Sequence, residues 1–289
     1  VYVAGDDDQA IFRWAGARPE YLINMEGERV ILDKSYRLPQ LIHGKANRLI
    51  KRVKDRVEKE WTSREEKGEI NIHPVPQLNR LKNGKWLVLA RDRYHLDRLE
   101  EELKMEGVYY ERNDETSINK RIHEAILAWE DVRRGKSIDI KRVKRIYTYL
   151  KTGEGVSKEH KGMKNADREK LYTYDTLSTQ YGLLVNKELP WFKALENIES
   201  QKKTYVRMCL RRKENIRQGP RIKLSTIHGS KGSEADNVML LTDLSRKSDE
   251  EYWRQRDSER RVFYVGMTRA RNSLDIVRSQ TDREFTEAF

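Results

Sequence analysis

Residues 86–110 read WLVLARDRYHLDRLEEELKMEGVYY, and this stretch decides the predicted fold. WLVLA is an apolar run with the length of a buried strand. Leu96, Leu99 and Leu103 then recur at helical spacing, Gly107 ends the helical pattern, and VYY returns to extended chain. A strand, a helix and a second strand in succession form the unit of a parallel sheet. The chain is therefore predicted to be an α/β protein.

Similar patterns lie on both sides of this stretch. Apolar runs predict strands at 1–4, 29–37, 221–228, 237–245 and 273–277, and helical patterns are found at about 40–54 and at 259–270. Between residues 111 and 220, alternating strands give way to long polar helical patterns that contain Tyr and Trp. The simplest architecture is a parallel-sheet domain in two sequence pieces, interrupted by a mainly helical insertion.

The charge of the chain points to a polyanionic partner. Its 289 residues include 59 Lys and Arg against 47 Asp and Glu, a formal net charge of +12. Residues 111–220 hold 25 of these basic residues and 16 of the acidic ones, so the predicted insertion carries +9. Nucleic acid is the usual partner of a protein with such an excess of basic residues, although a well-solvated surface can have the same composition.

The cysteine content and the lengths of the apolar runs indicate the cellular compartment. Cys209 is the one cysteine, so no disulfide forms within the chain, and a reducing, cytoplasmic location is expected. No apolar run approaches the roughly 20 residues that span a bilayer, so no membrane partner is expected. The chain begins at Val1, inside a predicted strand, and we therefore expect it to be the downstream part of a longer protein.

A run of three aspartates follows the first predicted strand. Carboxylates at the end of a parallel strand can order Mg²⁺-bound water, arginines or backbone N–H groups. Gln9 comes next, and its amide can both donate and accept, which suits a sensor of phosphate or of an attacking water. Phe12 and Trp14 flank Arg13, a pattern that offers stacking faces and a cation to single-stranded bases. The alternative is a solvated acidic turn followed by two core aromatics.

Four segments resemble, in order, motifs of the UvrD/Rep/PcrA-type superfamily 1A DNA helicases. GDDDQAIFRWAGA (5–17) resembles motif III, LDKSYRLP (32–39) motif IV, KLSTIHGSKGSEADNVMLL (223–241) motif V and ERRVFYVGMTRAR (259–271) motif VI. In that family a RecA-like domain, 2A, is interrupted by a helical 2B subdomain between motifs IV and V. The resemblance implies the end of domain 1A at 1–25, domain 2A at 26–110 and 221–289, and a 2B-like insertion at 111–220.

The resemblance also implies roles for single residues. It assigns catalysis to Gln9, as a sensor of the γ-phosphate of ATP, and to Arg37 and Arg269, as arginine fingers. It places Tyr36 against the adenine, Glu234 on the ribose, and Gly232 in the same nucleotide-binding segment. The implied DNA contacts are stacking by Phe12 and Trp14, and contacts from Thr226, His228 and Lys231 on the motif V loop. No metal ligand is assigned to this chain.

The implied activity is ATP-dependent 3′→5′ movement on single-stranded DNA with duplex unwinding, as in DNA replication or repair. ATP and Mg²⁺ are the implied cofactors, and single-stranded DNA and single-strand/duplex junctions are the implied partners. The sequence contains no GxxxxGK[ST] phosphate loop, which the family carries in an upstream domain 1A. We therefore expect that the 289 residues alone do not hydrolyse ATP, because arginine fingers need a phosphate cradle.

Two other functions stay open from the sequence. The chain would be a non-motor DNA-binding module descended from a helicase if its whole protein lacks a phosphate loop. It would be part of an AddA/RecB-like helicase–nuclease if a nuclease domain follows Phe289.

Overall fold

A computed structural model describes residues 1–163 and 166–289. Lys164 and Asn165, which belong to the predicted insertion, lie outside the described residues. The chain divides into two compact units. The first unit joins residues 1–102 to residues 221–289, and the second unit comprises residues 103–220.

The first unit contains five parallel strands, which confirms the predicted α/β fold. They are β1 (Glu69–His73), β2 (Trp86–Ala90), β5 (Ile222–Thr226), β6 (Ala235–Leu241) and β7 (Ala270–Val277). Their order across the sheet is β1-β7-β6-β2-β5, and each neighbouring pair is parallel. All five residues of β2 are buried, as expected for a strand with neighbours on both sides and helices on its faces. At its end, Ala90 lies opposite Thr226 of β5.

Five helices belong to the first unit, namely α1 (Pro19–Ile23), α2 (Gln40–Ile50), α3 (Arg93–Met105, which runs across the unit boundary), α9 (Arg246–Arg254) and α10 (Arg256–Met267). Pro39 occupies the position before α2, where its missing N–H costs no helical hydrogen bond. Asp257 and Glu259 lie in the first turn of α10, where negative charge favours the helix dipole. The helices α2 and α10 pack on each other, and their apolar faces join β2, β6 and β7 in one core.

The strands predicted at 1–4 and 29–37 are wrong. Neither segment forms a strand in the described part of the chain, and many of their apolar side chains are exposed, including Val1, Tyr2, Val30 and Leu32. Only a single parallel bridge, between Lys34 and Thr62, is formed. The residue types were read correctly as strand-forming, but a strand needs a neighbouring strand to satisfy its backbone, and none pairs along these segments.

The second unit is mainly helical, as predicted. It contains a short antiparallel pair, β3 (Tyr110–Arg112) with β4 (Glu115–Thr116), and the helices α4 (Lys120–Val132), α5 (Ile140–Tyr149), α6 (Tyr174–Gln180), α7 (Trp191–Ala194) and α8 (Ser200–Arg211). Trp129 lies at the centre of its core, and its indole Nε1 donates to the Leu189 carbonyl at 2.9 Å. Asp131 accepts hydrogen bonds from Arg142 and Arg217. These two arginines outweigh the effect of burial and lower the pKa of Asp131 to about 2.

The second unit begins at Leu103, whereas the sequence predicts that the insertion starts at residue 111. The intervening residues pack with the second unit. Tyr109 belongs to its core, and the Tyr205 hydroxyl donates to the Val108 carbonyl at 2.6 Å. Gly107 has a φ of +65°, and a Cβ there would lie 2.5 Å from the Cβ of Met208. Gly107 therefore ends the helix and also permits a close contact with α8.

Truncation of a core leucine tests the first unit. We expect Leu89→Ala to lower the free energy of unfolding by about 2–5 kcal/mol, because Leu89 is completely buried in β2 and its removal leaves a cavity. The matched control is Leu32→Ala, at a side chain that is 87% exposed, with an expected change below about 0.5 kcal/mol. Chemical denaturation measures both, and equal effects would contradict the described core.

Candidate functional site

The acidic run at residues 6–8 is neutralised within the chain. The Arg56 guanidinium donates two hydrogen bonds to Asp8, at 2.9 and 2.7 Å, and both side chains are nearly inaccessible to solvent. The Lys59 ammonium contacts all three carboxylates, including that of Asp6 at 2.8 Å. Asp7 also accepts from the backbone N–H of Val57 at 2.8 Å. The acidity of this segment therefore has a structural cause.

We call these five residues the acidic cluster: Asp6, Asp7, Asp8, Arg56 and Lys59. A third basic residue bonds to the cluster from outside this definition. Arg261, on α10, is buried and donates from Nε to the Asp7 carbonyl at 3.0 Å. Sequence reasoning missed these three basic partners, because they lie about 50 and 250 residues from the aspartates. The cluster fixes the short 3₁₀ turn Asp7–Gln9 to the first unit, and so fixes the loop that follows.

Gln9 and Arg269 lie close together at one end of this turn. The Gln9 amide donates to Asp6 at 2.6 Å, and its oxygen accepts from Arg269 at 3.4 Å. Arg269 is buried, and its guanidinium also donates to the carbonyls of Val265 and Ser233. Burial lowers the pKa of Arg269 to about 10, and the positive charge of Arg37 adds to this effect.

Arg37 and Glu234, together with Gln9 and Arg269, form one group of polar side chains. Arg37 Nη1 lies 3.7 Å from a Glu234 carboxylate oxygen, and Arg271 forms a hydrogen-bonded ion pair with the same carboxylate. The hydrogen bond from Arg271, aided by the charges of Arg37 and Arg269, keeps the pKa of Glu234 below its usual value. The buried Nε of Arg37 has no hydrogen-bond partner. Tyr36 is 81% exposed, beside this group.

These residues fit a polyphosphate but do not fit a metal ion. Two guanidinium groups, of Arg37 and Arg269, repel each other, and one of them has an unpartnered buried N–H, so an anion between them would be stabilised. Arg37 would then exchange its contact with Glu234 for a contact with that anion. The acidic cluster is occupied by its own cations. Within residues 1–163 and 166–289, no three metal-ligating side chains are close enough to hold an ion.

Phe12 and Trp14 differ in their surroundings. Phe12 is partly buried and packs against the core, whereas Trp14 is 77% exposed. Their rings meet edge to face with centroids 6.1 Å apart. Trp14 therefore offers a free stacking face, and Phe12 supports it.

The loop after β5 contacts the backbone beside these aromatics. His228 Nε2 lies 3.1 Å from the Ile11 carbonyl, and the imidazole is 5.8 Å from the Phe12 ring. Lys231 donates to the Gln9 carbonyl at 2.8 Å. Burial, followed by the charge of Arg91, lowers the pKa of His228 to about 4, so the ring is neutral near pH 7.

Thr226 and Gly232 determine the backbone shape of this loop. The Thr226 hydroxyl accepts from the backbone N–H of Gly229 at 3.0 Å and so caps the turn. Gly232 has a φ of +86°, in the left-handed region that favours glycine, and no atom lies near the position of a Cβ. The turn at Gly232 brings Glu234 towards Arg37.

A cavity of about 440 Å³ opens beside Trp14. Its lining includes four arginines and two acidic residues, together with Trp14 and His228: Arg13, Arg18, Arg91, Arg254, Glu251 and Glu259. Arg91 follows β2 directly and donates to Glu259 at 2.7 and 2.8 Å, which closes one side of the cavity. Arg91 and Arg254 lie outside the four motifs and were missed from sequence, although Arg91 stands at the carboxyl end of a parallel strand, where ligands bind.

Comparison with known protein families identifies the chain. The family model described as the UvrD-like helicase C-terminal domain matches residues 107–281, which is more than half of the sequence. The chain belongs to this family. The resemblance drawn from the four motifs is thereby confirmed, and with it the RecA-like α/β fold.

One curated relative supports the same assignment. A segment of 92 residues is 34% identical to DNA helicase II of Haemophilus influenzae. The segment covers 30% of this chain and 12% of the relative. The chain therefore matches a small part of a much longer helicase.

The acidic cluster generates a stability prediction. We expect Asp8→Asn to lower the free energy of unfolding by about 3–5 kcal/mol, because it leaves the buried Arg56 without its charge partner. Asp33→Asn, at an exposed carboxylate, is the control and is expected to have almost no effect. Denaturation at pH 7 compares the two variants. A small effect of Asp8→Asn would show that the pair contributes little to stability.

His228 generates a pH prediction. Its pKa is about 4 in the folded chain and near 6.5 when unfolded, so between these values the unfolded state binds more protons. Stability should therefore fall as pH decreases from about 7 to 5. After allowance for partial exposure, His228 should account for about 1 kcal/mol of that fall. Denaturation at both pH values should show a correspondingly smaller loss for His228→Gln, and equal losses would contradict the assignment.

Proposed function

We propose that this chain is the C-terminal part of an ATP-dependent DNA helicase, which couples ATP hydrolysis to 3′→5′ movement on single-stranded DNA and to duplex unwinding. Membership of the UvrD-like helicase family supports the helicase class. The observation that carries the proposal is one short loop, residues 9–14, that has Gln9 beside Arg269 at one end and the exposed Trp14 at the other.

The nucleotide side of this loop suits a triphosphate. Arg37 and Arg269 are the proposed arginine fingers, since two fixed guanidinium groups can neutralise charge on a transferring phosphoryl group. Gln9 touches Arg269 and would report the presence of the γ-phosphate to the loop. Glu234 lies within the same group and is the proposed ribose contact. Tyr36, exposed and adjacent in sequence to Arg37, is the proposed adenine contact.

The DNA side of the loop suits unstacked bases. Trp14 provides an exposed aromatic face, and base–aromatic stacking contributes about 1–3 kcal/mol per base without demanding a sequence. The adjoining cavity of about 440 Å³ carries Arg13, Arg18 and Arg254, whose charges suit a phosphodiester backbone. Phe12 would act as the support for Trp14. Thr226, His228 and Lys231 belong to the loop that borders this side.

The second unit is the proposed duplex-binding element. Its predicted extent, 111–220, carries +9, and α5 exposes Lys141 and Lys144 on the face opposite its buried residues. Such a surface suits the phosphates of a single-strand/duplex junction. We propose that this unit corresponds to subdomain 2B, that residues 1–25 of the first unit end subdomain 1A, and that the rest of the first unit corresponds to 2A.

ATP and Mg²⁺ are the proposed cofactors, and ATP supplies the free energy for movement. The phosphate loop, which this sequence lacks, and the contacts to Mg²⁺ are assigned to an upstream domain 1A of the same protein. The present residues would neutralise the γ-phosphate and hold the loop that reaches the bases. The described helices are too short or too polar to cross a lipid bilayer. A cytoplasmic location is part of the proposal.

ATP hydrolysis by the protein extended upstream through a phosphate loop tests this function. We expect single-stranded DNA to stimulate hydrolysis strongly, and Arg37→Ala to reduce the stimulated rate by at least about 10³-fold, the effect of losing an arginine finger. The matched control is Arg98→Ala, at an exposed arginine on α3, with an unchanged rate.

Strand displacement from duplexes with a 3′ or a 5′ tail measures direction in the same proteins, and only the 3′-tailed duplex should be unwound. Absence of DNA-stimulated hydrolysis in the extended protein would favour a non-motor DNA-binding module. Nuclease activity that depends on a segment after Phe289 would favour the AddA/RecB-like class.

A further inference from the structure

The loop that carries Trp14 is held by contacts to its backbone. Ala15 and Ala17 both donate their N–H groups to the Phe12 carbonyl, at 2.9 and 3.1 Å, and so close a tight turn around Trp14. The carbonyls of Gln9 and Ile11, just before this turn, point to side chains of the loop after β5. The position of Trp14 therefore depends on a second loop, more than 200 residues later in sequence.

His228 is the better buried of these two contacts. Its Nε2 is within hydrogen-bond distance of the Ile11 carbonyl at 3.1 Å, and a carbonyl oxygen only accepts, so Nε2 carries the proton. Its ring also lies against the Phe12 ring, with centroids 5.8 Å apart. The one imidazole thus fixes a backbone carbonyl and the aromatic ring that supports Trp14.

Lys231 contacts the same loop at an earlier residue. Its ammonium donates to the Gln9 carbonyl at 2.8 Å and lies 5.4 Å from the centroid of the Phe12 ring. Phe12 therefore has an imidazole and an ammonium as neighbours, each of which also bonds to the backbone beside it. Lys231 is exposed, so its bond to the Gln9 carbonyl, and not burial, is what keeps its ammonium from a phosphate.

We propose that His228 and Lys231 are positioning residues, which hold the Phe12–Trp14 turn in its DNA-stacking position and do not themselves contact nucleic acid. The proposal rests on the proposed function for the role of Trp14. It replaces the direct DNA contact that the family resemblance implies for both residues. The low pKa of His228 agrees with this role, since a neutral ring gives no charge attraction to phosphate.

A double-mutant cycle tests the proposal with the 289-residue chain and a fluorescent oligothymidylate. Trp14→Ala should weaken binding about 10- to 100-fold, as expected for loss of a stacking face. His228→Leu should weaken binding about fivefold, and His228→Gln, which keeps an N–H at the same distance along the side chain, should restore it. The variant with both His228→Leu and Trp14→Ala should bind as Trp14→Ala does, because His228 acts only through Trp14.

The salt dependence of binding separates positioning from phosphate contact for Lys231. A lysine on a phosphate contributes about one unit to the slope of log K against log salt concentration. Lys231→Met should leave the slope unchanged, whereas Arg254→Met, in the cavity beside Trp14, should reduce it. A reduced slope for Lys231→Met would overturn the proposal. So would a double variant in which the losses of affinity from His228→Leu and from Trp14→Ala multiply.

Hydrogen exchange of the ligand-free chain decides the outcome even if DNA binding fails. Amide exchange at Ala15 and Ala17 should accelerate in His228→Leu and return to the wild-type rate in His228→Gln. Unchanged exchange in His228→Leu would overturn the positioning role. Failure of the wild-type chain to bind the oligonucleotide would instead count against the proposed function.

Discussion

The buried ion pair between Asp8 and Arg56 is the constraint on which the candidate site depends. Removing two charges from water is costly, and the pair is tolerable because it is bidentate and because Lys59 and the Val57 N–H satisfy the neighbouring carboxylates. The consequence is positional. The turn at Asp7–Gln9 cannot move away from the segment between α2 and β1, which carries Arg56, without exposing unpaired charge. The loop after the turn therefore starts from a fixed point.

From that fixed point, two chemically different surfaces share one short piece of backbone. Gln9 faces a group of cationic side chains that repel one another, and Trp14 faces solvent beside a cavity lined with arginines. Only four residues separate Gln9 from Trp14. A change in the contacts of Gln9 therefore has few rotatable bonds in which to be absorbed before it reaches Trp14. The contacts from His228 and Lys231 restrict these bonds further.

Local pattern was enough for those parts of the fold that are determined by neighbours in sequence. The apolar WLVLA run became β2, an interior strand of the sheet, and Leu96, Leu99 and Leu103 became the buried face of α3. The segment 29–37 has equally strong strand-forming residues but no partner strand. Whether a partner strand is present depends on the rest of the fold and cannot be seen in the segment itself. Likewise, Phe12 and Trp14 look equivalent in sequence, yet Phe12 packs on the core and Trp14 is exposed. The partners of the aspartates, Arg56, Lys59 and Arg261, are set by the tertiary fold and leave no local signal.

The strand order β1-β7-β6-β2-β5 has a consequence for synthesis of the chain. Only β1 and β2 belong to the piece before residue 103, and they are not adjacent in the sheet, since β1 pairs with β7, and β2 pairs with β5 and β6. When the ribosome has completed the first piece, neither strand has a neighbour to bond with. The helical unit 103–220 emerges next and has its own core to fold around. Both strands stay unpaired until more than a hundred further residues have been synthesised. The strand β2 is fully apolar and is therefore open to aggregation and to chaperone binding during that time.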